Sequence, residues 1–228
     1  MTLPAVFQAR SGRTLAAAAV LAGGMLVAPT AQAAAFPQFS LPFAAGQVVG
    51  SAGIHSDNGR SGVKNAIDLN PRDELVRAPL AGTVSIQRCS AGDWVTIDHE
   101  GGWRTGYYHM ENITVTDGQR VEPGTPLGNI GNALPCGGSS SGAHVHFTLW
   151  TLGAAAARSA DPIAAGNWDG VSYDRLATEV ADAVGEAVTG KTFGGWRFTE
   201  GSEQYAGTAT EVSTGKTVEL PGRFRYEG

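Results

Sequence analysis

Lysine is scarce in this 228-residue chain, with Lys64, Lys191 and Lys216 its complete set. The 21 acidic residues outnumber the 16 basic ones, and no basic cluster is present. Nothing here would track a run of phosphates, so neither nucleic acid nor an anionic membrane is expected as the main partner. Cysteine is nearly absent too: Cys89 and Cys136 are the whole complement, without a C-x-x-C spacing. That spacing argues against two thiolate metal ligands, the rival to a disulfide. Long apolar runs are also missing. The longest, Thr14 to Val27, is short and rich in Ala and Gly, which argues against a membrane span.

That run sits in a different pattern. Arg10 and Arg13 precede it and Ala31-Gln32-Ala33 follows it, the layout of a secretory signal peptide over residues 1–33 with cleavage after Ala33. The arginines are separated by Ser11-Gly12, which points to the general export route, and no cysteine is available for lipid modification. Export makes a Cys89–Cys136 disulfide the default reading, closing a loop of about 47 residues and stabilising by about 4 kcal/mol in the chain-entropy model. The remaining stretch of about 195 residues suits one domain with an appendage. It keeps all 21 acidic residues against 14 basic ones. High glycine content, 32 in the full chain, and short alternating runs predict a mostly β fold. Residues 34–45 form an apolar, Pro-punctuated entry segment.

Two of the five histidines stand two residues apart in Ala143-His144-Val145-His146-Phe147. In a strand, His144 and His146 would share one face about 6.6 Å apart, opposite Val145, Phe147 and Leu149. One imidazole could bind a metal while the other acts on what the metal holds. A half-buried strand with two exposed histidines fits the same pattern. The Gly137–Gly142 stretch before it has no side chain large enough to close over a cleft.

Upstream, His55 enters a turn-rich segment, Asp57-Asn58-Gly59 and Ser61-Gly62, and Asp68 lies between Ile67 and Leu69 in a predicted strand. A carboxylate flanked by buried aliphatics must be paired, hydrogen-bonded or metal-bound. "VRAPLAGTVSIQ" and "VEPGTPLGNIG" look like the half-barrels of biotinyl and lipoyl carriers, but no lysine lies between Lys64 and Lys191, which excludes a carrier function. Between them Asp93 to Met110 reads as a hairpin turning at Glu100-Gly101-Gly102, with Trp103, Thr105, Tyr107 and His109 on one face. His99 at the turn reads as a solvated surface residue; His109 is a packed histidine or a site residue.

His55, Asp68, His109, His144 and His146 thus form the candidate constellation, and zinc takes such nitrogen and oxygen ligands. The stretches "GIHSDNG", "NAIDLNP", "RAPLAGTV", "WVTIDHEGGWRTGYYHM", "VEPGTPLGNIG" and "SGAHVHFTLW" together resemble the lysostaphin/LytM-type zinc metalloendopeptidases (peptidase family M23). The β-lytic/staphylolysin (LasA-like) subgroup is the nearest, since twelve residues separate His55 from Asp68. The resemblance covers residues 46–168, the expected zinc peptidase core. It implies an antiparallel β-sheet or sandwich core, duplicated-hybrid-motif-like, with His55, Asp68 and His146 holding one Zn2+ and His109 and His144 as the catalytic histidines. It further implies a secreted, monomeric enzyme without a membrane anchor, hydrolysing bacterial peptidoglycan peptides at Gly-Gly or Gly-x bonds. The alternative is a non-catalytic LytM-like module that regulates wall hydrolases; such modules lose zinc ligands, whereas every matching position here is filled.

Residues 169–228 form a C-terminal extension. Leu176, Val180, Ala183, Val184 and Ala187 fall on one face of a helix predicted over about 174–188, capped by Asp174 and stopped at Gly190. Strands follow from Phe193, resembling the Gly-Gly-Trp ending of β-lytic relatives.

Overall fold

The computed structural model describes residues 1–2, 35–55, 66–152 and 166–228. The chain divides into two compact units, Met1–Ala33 and Ala34–Gly228. The first falls almost wholly outside the described residues, and with it the predicted signal; the predicted turn at Asp57-Asn58-Gly59 lies outside them as well.

The second unit opens with β1 (Gln47–Ile54), β2 (Ile67–Pro71), β3 (Leu75–Arg77), β4 (Gly82–Cys89), β5 (Gly92–Asp98) and β6 (Trp103–Tyr108). Short strands β7 (Arg120–Val121) and β8 (Pro126–Asn129) lead to β9 (Val145–Thr151), followed by helix α1 (Tyr173–Ala183). The chain then forms β10 (Gly185–Glu186), β11 (Thr192–Phe193), β12 (Trp196–Glu200), β13 (Gly207–Glu211), β14 (Thr217–Leu220) and β15 (Gly222–Tyr226). This is the expected mostly β, antiparallel architecture with one helix among the described residues.

The main sheet runs β15-β1-β2-β9-β6-β5-β4-β7, with β10 also on β9, while β11 to β14 form a second sheet and β3 pairs β8. The β5–β6 hairpin turns through Glu100–Gly102, where Gly101 and Gly102 take φ of 76° and 78°, a left-handed conformation natural to glycine. The strands from the two carrier-like runs meet here: Val76 of β3 faces Gly128 of β8.

β9 is the centre of this arrangement, flanked by β2 and β6. Alternation predicted one apolar and one polar face, but every residue from Val145 to Trp150 is buried. The reason is that both faces are covered. Val145, Phe147 and Leu149 enter a core with Ile67, Tyr107, Phe193 and Phe198. On the opposite face Trp150 packs with Trp94, Tyr108, Trp168 and α1 residues Leu176, Val180 and Val184. Full burial of each such large apolar side chain stabilises by about 1.5–3 kcal/mol. Phe39, Leu41 and Phe43 of the entry segment also lie in the first core.

The helix is shorter than predicted, beginning at Tyr173 and ending at Ala183. Its cap is Ser172, whose hydroxyl accepts from the Arg175 amide, rather than Asp174, which lies in the first turn. Leu176, Val180 and Val184 are buried as expected, whereas Ala183 is exposed and Ala187 lies past the helix. The early stop has a physical cause: Gly185 and Glu186 leave the helix to pair with Trp150 and Leu149 of β9. The C-terminal extension therefore contributes strands to the main sheet itself, through β10 and through β15 on β1.

Candidate metal centre and cleft

Asp68 of β2 and His146 of β9 are direct partners in the antiparallel register, so their side chains rise from the same face. His146 Nδ1 lies 2.9 Å from Asp68 Oδ1. His55 follows the end of β1, its main-chain N–H donating to the Ala66 carbonyl at 2.7 Å, and its Nε2 lies 2.9 Å from Asp68 Oδ2. The two rings meet edge to face at 4.5 Å. All three residues are buried, and one donor atom from each lies within 4.8 Å of the others.

Burial alone would raise the Asp68 pKa, but ring N–H groups of His146 and His55 donate to its two oxygens and hold it far below the usual carboxylate range. Burial pushes the His146 pKa down, against the pull of the same carboxylate. The group is thus an anion clasped by two imidazoles. Two ring nitrogens and one carboxylate within this spacing fit a divalent ion, and the nitrogen-oxygen donor set with a single negative charge suits zinc. His146 Nε2 is buried with no hydrogen-bond partner among the described residues, so Asp68 is the ring's hydrogen-bonding anchor there.

His109 and His144 stand beside this trio, their rings 4.6 Å apart and His109 6.0 Å from His146. A carbonyl only accepts, so the ring nitrogen facing it carries the proton. Nδ1 of His144 donates to the Gly142 carbonyl at 2.6 Å, and Nδ1 of His109 to that of Ala133 at 2.9 Å. Nε2 of the neutral His109 ring is left as an acceptor. That of His144 lies 3.5 Å from Asp68 Oδ1. Burial, above all, lowers the His109 pKa to about 4.

His144 precedes β9 and is bridged to Gly131 rather than lying within the strand. His109 departs from the expected alternation. Trp103 and Tyr107 do face the first core, but Tyr108, not His109, is the register partner of His146. Strand β6 ends at Tyr108, and His109 takes a φ of 67°, which returns its ring to the His144/His146 side. His99 is a correction: it is 6% exposed, with Nδ1 on the Ala81 carbonyl at 2.9 Å and Nε2 on Thr105 Oγ1 at 2.8 Å. Phe39 packs edge-on against it, which is why a turn histidine is not solvated here. The expected disulfide is present, with Cα atoms of Cys89 and Cys136 5.0 Å apart.

Two residues of the site escaped the sequence reading. Tyr205 packs its ring against His55 at 4.9 Å, and the neighbouring Gln204 amide lies 3.3 Å from His55 Nδ1. Their turn reaches the site because the Tyr205 amide donates to the Ile54 carbonyl at 3.0 Å. The approach requires Gly53: at its φ of 116°, an added Cβ would sit 2.0 Å from the Tyr205 carbonyl oxygen. The only sequence signal was a tyrosine in a polar turn after the Gly-Gly-Trp strand. A cleft of about 940 Å³ opens on Asp68, His144 and Tyr205.

The description Peptidase family M23 matches residues 62–162. Protease LasA of Pseudomonas aeruginosa is 40% identical over 126 residues, covering 50% of this chain but 29% of LasA, so the chain spans only that share of this relative's length. Beta-lytic metalloendopeptidase of Lysobacter enzymogenes is 34% identical over 122 residues, which is 49% of this chain and 67% of that protein. The solved structure of the M23 metalloprotease pseudoalterin shares the fold, with a TM-score of 0.60 at 24% identity over 84% of this chain and 99% of that one. With these likenesses joined to the His-Asp-His cluster, the chain belongs to peptidase family M23.

Proposed function

We propose that the protein is a secreted, monomeric zinc metalloendopeptidase that hydrolyses peptide bonds of bacterial peptidoglycan, Gly-Gly or Gly-x bonds of cross-bridges in particular. The observation that carries this reading is the meeting of the buried His55–Asp68–His146 cluster with two further histidines whose Nδ1 atoms are already engaged, beside a cleft lined by Asp68 and His144. His55, Asp68 and His146 would hold one zinc ion per chain. Bound there, zinc would supply Lewis acidity, polarising a carbonyl and acidifying a water.

The remaining steps belong to the chain's own residues. His109, kept neutral by burial and fixed by Ala133, offers Nε2 as the acceptor for the attacking water's proton and returns it to the leaving amine. His144 would support the oxyanion when Nε2 also carries a proton, with Tyr205 adding a phenolic donor along the cleft. Asp68 stays ionised throughout and balances part of the charge of the metal. The substrate class rests on kinship with endopeptidases, one of them named β-lytic, and on the motif resemblance. A cleft that takes a backbone without side chains favours glycine. Secretion rests on the signal-like N-terminus; no helix among the described residues is long and apolar enough to cross a membrane.

The test is metal content together with turbidity loss of walls with and without glycine cross-bridges, with a chelator control. One zinc per chain and chelator-sensitive lysis confined to glycine-bridged walls is the expected result. Zinc with lysis of neither wall would overturn the substrate; a protein that binds no zinc would overturn the enzyme in favour of a regulatory module.

A further inference from the structure

The cleft does not stop at the metal centre. Alternation along β2 puts Asp68 and Asn70 on one face about 6.6 Å apart, Arg72 follows in the turn just past the strand, and all three line the cleft. On the other side of β1, the register sets Arg223 of β15 opposite Gly50, which in turn faces Asn70. Arg223 lines the same cleft. The groove floor between the two arginines is therefore Gly50, which has no side chain, flanked by Val48. Asn70 ties this floor to the centre, donating its amide to the Ala143 carbonyl at 2.6 Å, one residue before His144.

Both guanidinium groups are exposed, and neither has a hydrogen bond or ion pair among the described residues. Two neighbouring ion pairs are already formed. Asp73 is held by Arg77 at 2.8 Å, and Arg225 by Glu227. In a chain of net charge −5, one end of the cleft thus carries two arginines with no partner among the described residues. A guanidinium presents a planar fork of donors that matches a carboxylate. Arg72 lies four residues of chain from Asp68, at most about 14 Å, a distance that an extended peptide spans in about four residues.

We propose that Arg72 and Arg223 form a subsite for a carboxylate carried by the substrate peptide three to four residues from the scissile bond. The identity of the ligand as a peptide rests on the endopeptidase reading; the subsite itself rests on the groove. Anionic peptides would be held in register by this distant contact, while the glycine-sized portion occupies the centre.

The test uses glycine-rich fluorogenic peptides with one Glu or one Gln placed two to five residues from the cleaved bond, on either side. A parallel series ends at those positions in a free carboxylate or a carboxamide. KM is measured for the protein and for the Arg72→Ala/Arg223→Ala double variant, at low and high salt. At one position three or four residues out, the Glu peptide is expected to show a KM about 3–10-fold below its Gln counterpart. That ratio should fall towards one in the double variant and at about 0.5 M salt. The readout is a ratio within each protein, so partial loss of folded material cancels. The terminal series tells a side-chain carboxylate from a chain end. A ratio near one at every position, or one that the double variant preserves, overturns the subsite. If no peptide is cut, the peptidase reading fails, and the same Glu/Gln pairs titrated by fluorescence anisotropy decide the subsite through their Kd ratio.

Discussion

The site has a part built on strands and a part built on chain reversals. Asp68 and His146 are opposed by strand register, and His55 stands at the first residue past β1, so the distances within this trio are set by the sheet. His109, His144, Gln204 and Tyr205 arrive from strand ends and turns, two of them with left-handed backbone, φ 67° at His109 and 69° at Tyr205. In place of register, this second group uses single hydrogen bonds to carbonyls, those of Ala133, Gly142 and Ile54. Metal holding tolerates little error in ligand spacing, and the residues proposed for it sit where the backbone is most constrained. Proton handling needs a defined tautomer, which one carbonyl can impose.

The sharpest way to break this division is at the sheet-held trio. Asp68→Ala or His146→Ala should abolish metal binding, with activity falling by at least about 10³-fold, because a removed ligand leaves no substitute within reach. Elemental analysis after dialysis checks it; a variant that kept both zinc and turnover would end the ligand assignment. Next comes the disulfide, which anchors the segment leading to His144. Replacing Cys89 and Cys136 with Ser should lower unfolding free energy by up to about 4 kcal/mol, read by urea denaturation. On the loop-held side, His109→Ala and His144→Ala should each retain stoichiometric zinc while kcat drops by about 10²-fold or more. Zinc loss in either would erase the distinction between the two parts. Gly53→Ala should cost about 1–3 kcal/mol and raise KM more than it lowers metal affinity, since it displaces the Tyr205 turn.

The smallest effect concerns the histidine outside the site. Burial holds the His99 pKa below its ordinary 6.5. The unfolded chain then binds more protons than the folded one as pH falls, so this contribution is whole above 6.5 and is lost as pH drops through the lower folded value. His99→Gln should flatten the fall in stability between about pH 7.5 and about pH 5, by at most about 1.4 kcal/mol for each unit of the shift. Denaturation midpoints at the two pH values give the answer.

The same division explains what was legible in the sequence. Asp68 and His146 could be picked out because strand alternation is a local property: a carboxylate between Ile67 and Leu69 and a second histidine two residues after the first are visible within five residues. The hairpin at Glu100–Gly102 and the mostly β class followed from equally local chemistry. Gln204 and Tyr205 could not be found this way, since what brings them to His55 is an amide-to-carbonyl bond with Ile54, some 150 positions away in the chain, |i−j| being 149 for the Gln204–His55 pair. His99 misled for a related reason. A histidine before Glu100-Gly101-Gly102 looks solvated until Phe39 folds across it. The helix lost its last turn to β9, a competitor invisible to periodicity.

The pairing of β15 with β1 also bears on the order of assembly. Gln47 waits for Tyr226 and Ser51 for Gly222, so the edge of β1 stays unsatisfied until β15 has been made. Contacts of such separation form slowly, and an open edge is a template for association with other chains. A chain lacking β15 would carry the His-Asp-His cluster without one wall of the cleft, so the proposed hydrolysis would wait on that pairing, and fragments without it would tend to associate through the open edge of β1.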